Sequence, residues 1–213
     1  MNNFNRKRKK SFAPRLRYHL TKSISLVGLM GCGKTTIGVR LARRLNIPFV
    51  DSDHEIEAAA GHTVSEIFEK FGEEDFRKGE RRVINRLISE EKKIILSTGG
   101  GAFMDPITRS RLKKKSIVIW LKADVELLVE RTSRRNSRPL LLSGDPNEIL
   151  EKLIKERYPI YNEAQIMVES GQGPHDKVVN DIIWKLNKYL AKERKQFLKR
   201  MANNKQIKEQ KHD

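Results

Sequence analysis

The chain has 213 residues, enough for one sizeable core with little room for a second complete domain. A net charge of +17 would suit a polyanion-binding protein. However, residues 1–22 and 191–213 hold +13 of it and leave only +4 between them, so the central stretch is close to balanced. A single cysteine, Cys32, excludes an intrachain disulfide and fits a reducing, cytoplasmic compartment. No apolar run approaches the roughly 18 residues of a membrane span, so no membrane partner is expected.

In chain order, residues 1–22 read as a basic, disordered extension. "NRKRKKSFAPRLR" also has the look of an organellar presequence or a nuclear-type cluster. "ISLVG" (Ile24 to Gly28) is the first predicted strand. Ile37, Leu41 and Leu45 then recur every four residues and predict a helix. "IPFVD" (Ile47 to Asp51) is the second strand. Thr63 and Glu66 form a capping box that opens a short helix, and a longer helix is expected from about Glu73 to Ser89. "KIILSTGGG" (Lys93 to Gly101) is a buried strand running into three glycines. Asp105-Pro106 starts a helix, a capping acid followed by proline at the first helical position. "SIVIWL" (Ser116 to Leu121) is the fourth strand, with a helix from about Asp124 to Thr132 after it. The segment at about 133–145, rich in Arg, Ser, Gly and Pro, reads as a lid. A helix restarts at Asp145-Pro146 and is expected to be interrupted at Pro159. "IMVE" (Ile166 to Glu169) is the fifth strand, and a helix from His175 to Leu190 ends the domain, 23–190. Residues 191–213 form a second basic tail, in which Phe197, Leu198 and Met201 could extend the last helix. Apolar strands alternating with helices predict an α/β domain with a parallel sheet.

Gly28 to Thr35 fits G-x-x-x-x-G-K-[ST] between a strand and a helix, the arrangement a phosphate-binding loop needs. Backbone amides of Gly31, Cys32 and Gly33 can converge on phosphate oxygens at a helix N-terminus. Lys34 is expected to reach the β- and γ-phosphates of ATP, with Thr36 beside it, and the Thr35 hydroxyl to ligate Mg²⁺. Cys32 reads as a small filler, because no histidine base is placed near it. "DSDHEIE" sets Asp51 and Asp53 at the end of the second strand, where ligands of such sheets bind. One carboxylate can serve the metal and the other an acceptor hydroxyl; the alternative is that Asp53 caps a helix. Arg77, Arg138 and Arg157 offer planar forks for carboxylate or phosphate. Gly99, Gly100 and Gly101 allow a compact ligand to approach backbone amides. Ser97 and Thr98 take the place where an acidic metal residue often ends this strand, which shifts metal work to Asp51.

"GLMGCGKTT", "DSDHEIE", "GEEDFR", "STGGG", "RTSRRNSRPLL" and "ERYPIYNEA", in this order, closely resemble the shikimate kinase family over roughly residues 22–190. The resemblance implies a P-loop NTPase-type three-layer fold, with a five-stranded parallel sheet, flanking helices and a mobile lid. It implies transfer of the ATP γ-phosphate to the 3-hydroxyl of shikimate, on the way to chorismate and the aromatic amino acids, with one Mg²⁺ per subunit. By the same resemblance Asp53 contacts the acceptor hydroxyls as proposed base, and Asp51 stands near Mg²⁺. Arg77 and Arg157 hold the substrate carboxylate, with Gly100 and its neighbours as backbone donors. Arg138 reaches the ATP phosphates from the lid and Arg131 flanks the adenine. Phe68 and Phe76 fit either the ring's walls or ordinary core. Gln172 stands where several relatives present a basic residue, a departure from the pattern.

The catalytic set expected is therefore Lys34, Asp53 and Arg138, in a monomer whose partners are shikimate and ATP. The basic extension is expected to be dispensable through residue 20. Two rivals remain at this stage. One is a P-loop kinase for another polyhydroxy acid such as gluconate, or for a nucleotide. The other is a nucleic-acid-binding protein, supported only by the basic tails, which lack the interleaved aromatics of such surfaces beyond Phe4, Phe12, Tyr18 and Phe197.

Overall fold

The computed structural model describes residues 13–133 and 144–209. Five parallel strands, β1 (Ser23–Val27), β2 (Phe49–Asp51), β3 (Ile95–Ser97), β4 (Ser116–Lys122) and β5 (Ile166–Glu169), form one sheet in the order β2-β3-β1-β4-β5. The expected sheet is thus present. Parallel strands need crossovers, and helices supply them: α1 (Lys34–Leu45), α2 (Ser52–Ala60), α3 (Val64–Ser89), α4 (Pro106–Lys115), α5 (Val125–Ser133), α6 (Pro146–Tyr161) and α7 (His175–Glu209). With helices covering it, the sheet reads as continuous apolar runs: Ile24, Leu26 and Val27 of β1, Ile95 and Leu96 of β3, and Val118, Ile119 and Leu121 of β4 have no exposed surface. Asp51 lies level with Ser97, and Ser97 with Leu26. That register brings the end of β2, the glycine run after β3 and the loop after β1 to one edge of the sheet.

Local chemistry accounts for most of the helix boundaries. Thr63 and Glu66 make the reciprocal capping box of α3. Asp105 accepts the Thr108 amide ahead of Pro106, and Asp145 the Asn147 amide ahead of Pro146. The two helices expected around residue 72 are joined in α3, but Gly72 breaks it with non-helical backbone (φ 79°, ψ 173°).

Three expectations need correction. Pro159 does not interrupt α6, which runs to Tyr161. The carbonyl its missing N–H leaves unbonded belongs to exposed Lys155, where water can satisfy it. Residues 13–22 are not a free extension. Leu20 is buried, Leu16 and Tyr18 pack against the core, and Asn187 of α7 accepts the Arg17 amide (2.7 Å) and donates to the Arg15 carbonyl (2.9 Å). Finally, α7 does not end with the domain at Leu190 but continues to Glu209, the alternative that Phe197, Leu198 and Met201 offered. Its buried stripe of Val179, Ile183, Leu186 and Leu190 is prolonged at the same spacing by Phe197 and Met201, which are more than half exposed.

The second correction changes what truncation should do. Deleting residues 1–20 is expected to lower Tm relative to deleting residues 1–12 by roughly 3–12 °C, because burying one leucine side chain is worth about 1.5–3 kcal/mol. Thermal denaturation of the two truncated chains checks this; equal melting temperatures would show that Leu16, Tyr18 and Leu20 contribute nothing.

Candidate active site

The phosphate loop joins β1 to α1. Gly33 stands at the helix N-cap with φ 94°, a left-handed conformation that favours glycine. Lys34 Nζ donates to the carbonyls of Gly28 (2.8 Å) and Leu29 (3.1 Å), which keeps its charge curled within the loop. Cys32 has no exposed surface and belongs to the core, as a small filler should; its amide lies 3.3 Å from the Leu29 carbonyl. Arg131 of α5 closes the loop's far side, donating to the carbonyls of Gly31 (3.4 Å) and Gly171 (3.1 Å).

Across the edge of the sheet, Thr35 Oγ1 donates to Asp51 Oδ2 (3.0 Å). The other oxygen of Asp51 accepts the Asp53 amide (3.1 Å), so Asp51, not Asp53, caps α2. The capping role weighed for Asp53 thus falls to its neighbour, and the Asp53 carboxylate is left to face the cleft. Burial, and after it the Asp51 carboxylate, push the Asp53 carboxyl above its ordinary range, while Lys34 pulls it down. A carboxylate so placed is a better base than an exposed one.

The glycine run sits directly under Asp53. Ser52 Oγ accepts the Gly99 amide (3.0 Å), and a Cβ on Gly99 would come within 2.8 Å of both Asp53 Oδ1 and Glu80 Oε1. Any side chain there would displace both carboxylates. Arg157 Nη1 donates to the Gly100 carbonyl (3.0 Å), and the buried Tyr161 hydroxyl donates to the same oxygen. The amides of Gly100 and Gly101 have no partner among the described residues.

Glu80 was not singled out in the sequence. It is 2 % exposed; Oε2 accepts from Arg77 Nη1 at 2.7 Å, and Oε1 has no partner among the described residues. Burial pushes its carboxyl up, against the pull of Arg77. Burial likewise opposes the Arg77 charge, but Glu80 and Glu73 more than offset it and hold the guanidinium charged. The spacing Arg77-x-x-Glu80 on a predicted helix was the available signal. His175 was missed too. It lies at the first turn of α7 and lines the same cleft, and burial, then Arg40 and Arg131, lower its affinity for a proton.

One cleft of about 880 Å³ gathers these groups. Gly31, Gly33, Lys34, Thr35, Thr36 and Arg131 line one end, and Asp53, Arg77, Gly99, Gly100, Gly101 and Arg157 the other, with Asp51 between. Phe68 and Phe76, their rings 4.5 Å apart, line it as well. Arg138 and nearly all of the expected lid at 133–145 fall outside the described residues. Among the described residues no cluster of three or more His, Cys, Asp or Glu side chains is placed for a metal. Thr35 and Asp51 nevertheless offer the hard oxygens that Mg²⁺ takes, since it is commonly held by one or two carboxylates together with substrate phosphates.

A parallel sheet with this loop leaving its middle strand, and a pocket of arginines, carboxylates and glycine amides beside it, defines a P-loop phosphotransferase. The family model for shikimate kinase matches residues 30–187. A shikimate kinase of Paramagnetospirillum magneticum is 50 % identical over 182 residues, 85 % of this chain and 93 % of that protein. One from Bradyrhizobium diazoefficiens is 51 % identical over 172 residues, 81 % and 83 % of the two chains. A solved shikimate kinase from Acinetobacter baumannii in complex with shikimate superposes with a TM-score of 0.72 at 43 % identity, covering 81 % of this chain and 94 % of that one. The chain belongs to the shikimate kinase family. A gluconokinase from Sinorhizobium meliloti, at 17 % identity and TM-score 0.58, shares the fold alone.

Proposed function

We propose that the chain transfers the γ-phosphate of ATP directly to the 3-hydroxyl of shikimate, giving shikimate 3-phosphate and ADP, with Asp53 as the base. The observation that carries this is the composition of the cleft's second end, where Arg77, Arg157 and two amides without partners among the described residues surround Asp53 and Glu80. Cations and amides suit one carboxylate; the two acidic side chains suit hydroxyls. A compact polyhydroxy acid has both features.

In this reading the substrate carboxylate lies between Arg157, Arg77 and the glycine amides, which orients the ring. Asp53 accepts a hydrogen bond from the attacking hydroxyl and takes its proton as the O–P bond forms. Lys34 leaves its loop carbonyls for the phosphate oxygens, and the amides at the start of α1 receive charge as the bond to the leaving ADP breaks. Thr35 and Asp51 would hold Mg²⁺, which neutralises phosphate charge when bound. Arg131 and His175 flank the nucleoside end, and Arg138 is assigned to the phosphates on the strength of the resemblance alone.

Replacing Arg157 with alanine tests the carboxylate end. Loss of a charge-assisted hydrogen bond costs about 1.5–3 kcal/mol, so the shikimate KM should rise roughly 10- to 150-fold while the ATP KM changes much less. Equal weakening of both substrates in steady-state assays would remove Arg157 from that role.

A further inference from the structure

We propose that the Tyr161 hydroxyl is a positioning group for the anion-binding end of the cleft, holding the Gly100–Gly101 peptide so that its N–H is presented to the substrate carboxylate. This rests on the reading of that end given above.

The three glycines carry no side chains to pin their peptides, and glycine backbone reorients more readily than any other. A flipped Gly100–Gly101 peptide would turn a carbonyl oxygen toward an anion that needs a donor. Two groups from one face of α6, Arg157 and Tyr161 one turn later, both donate to the Gly100 carbonyl. Because the peptide is trans and planar, drawing that oxygen toward α6 sends the Gly101 N–H the opposite way, toward the side where the Arg77 guanidinium lies against Gly101. Gly99 is fixed separately by Ser52, and the Gly101 carbonyl accepts the Met104 amide. The peptide between is therefore held chiefly from α6.

Tyr161 is suited to this duty. It has no exposed surface, and its ring packs against Phe103 and Trp120 with centroids 6.3 and 6.0 Å away, so the hydroxyl has little freedom to move. Burial holds the phenol well above its ordinary pKa, which keeps it a donor. A phenylalanine would fill the same apolar space; what the tyrosine adds is one hydrogen bond, and it goes to a cleft glycine. Arg157, by contrast, also lines the cleft and is the one expected to be drawn toward a bound carboxylate. Tyr161 can then hold the carbonyl alone.

Tyr161→Phe in the full chain separates positioning from packing. The shikimate KM should rise about three- to tenfold, the size of one lost neutral hydrogen bond, with the ATP KM within about twofold and the thermal midpoint little changed. In the free protein, ¹H–¹⁵N spectra should show the Gly101 amide displaced or broadened by the same substitution. A shikimate KM that stays within twofold, or a parallel rise in both KM values with a lowered melting temperature, would overturn the inference. If the unaltered chain turned over no shikimate at all, the proposed reaction would fail first. The Gly101 amide signal would then decide the positioning claim: displaced or broadened by the substitution it supports the role, unmoved it ends it.

Discussion

Asp53→Asn is expected to lower kcat for shikimate by about 10²- to 10⁴-fold, the usual contribution of a positioned general base, while the ATP KM and the fold are retained. Asparagine preserves shape and can still accept a hydrogen bond, but it cannot take a proton at neutral pH. The substitution removes a carboxylate whose ionisation is opposed by burial and by Asp51, so thermal stability should be unchanged or higher. Ser52 still supports the neighbouring Gly99 amide, so the glycine run should keep its place. Rapid-quench single-turnover measurements would isolate the chemical step. A kcat within about threefold of the unaltered enzyme would reassign Asp53 to binding alone.

Lys34→Ala should act at the other end of the cleft. Removing one preorganised cation from a transferring phosphoryl group costs about 10²- to 10³-fold in kcat, and the ATP KM should rise with it. Affinity for shikimate alone, measured by calorimetry without nucleotide, should change far less than the ATP KM, since the lysine's hydrogen bonds lie within the phosphate loop and only its charge reaches Asp53. Loss of shikimate binding in that experiment would mean that the two ends of the cleft are not separable.

The contrast between these variants follows from how the site is assembled, and so does how far it could be read in advance. The loop from Gly28 to Thr35, the Asp51/Asp53 pair and the triple glycine are local signals, each tied to the end of an apolar strand, and the parallel sheet brings those ends to one edge. Their meeting at one edge was therefore legible from the parallel sheet, while the order β2-β3-β1 that makes them neighbours was not. The Asp105-Pro106 and Asp145-Pro146 starts were legible for the same reason, a capping side chain acting within three residues.

What the sequence hid was set by distant contacts. Asp51 caps α2 locally through Oδ1, but its second oxygen accepts from Thr35, sixteen residues away, a contact that no local spacing shows. Tyr161 and Gly100 lie 61 residues apart, and no spacing rule pairs a tyrosine in a helix with a glycine carbonyl. Glu80 is the intermediate case, since its i,i+3 relation to Arg77 was visible but only its burial sets it apart from a surface ion pair. The basic composition of residues 1–22 likewise masked apolar side chains within it, whereas Phe197, Leu198 and Met201 were legible as an extension of the last helix. Leu20 belongs to the core, Leu16 and Tyr18 pack against it, and α7 prolongs its apolar stripe beyond the last buried leucine.

The most direct test of the whole account is product analysis. The full chain is incubated with Mg·ATP and shikimate, and the phosphorylated product is examined by ¹H–³¹P correlation spectroscopy. The cleft described here predicts ADP released in equal amount to a single phosphate monoester, coupled to the proton on carbon 3 of the ring. Inorganic phosphate as the only phosphorus product besides ADP, or turnover with gluconate and none with shikimate, would contradict it.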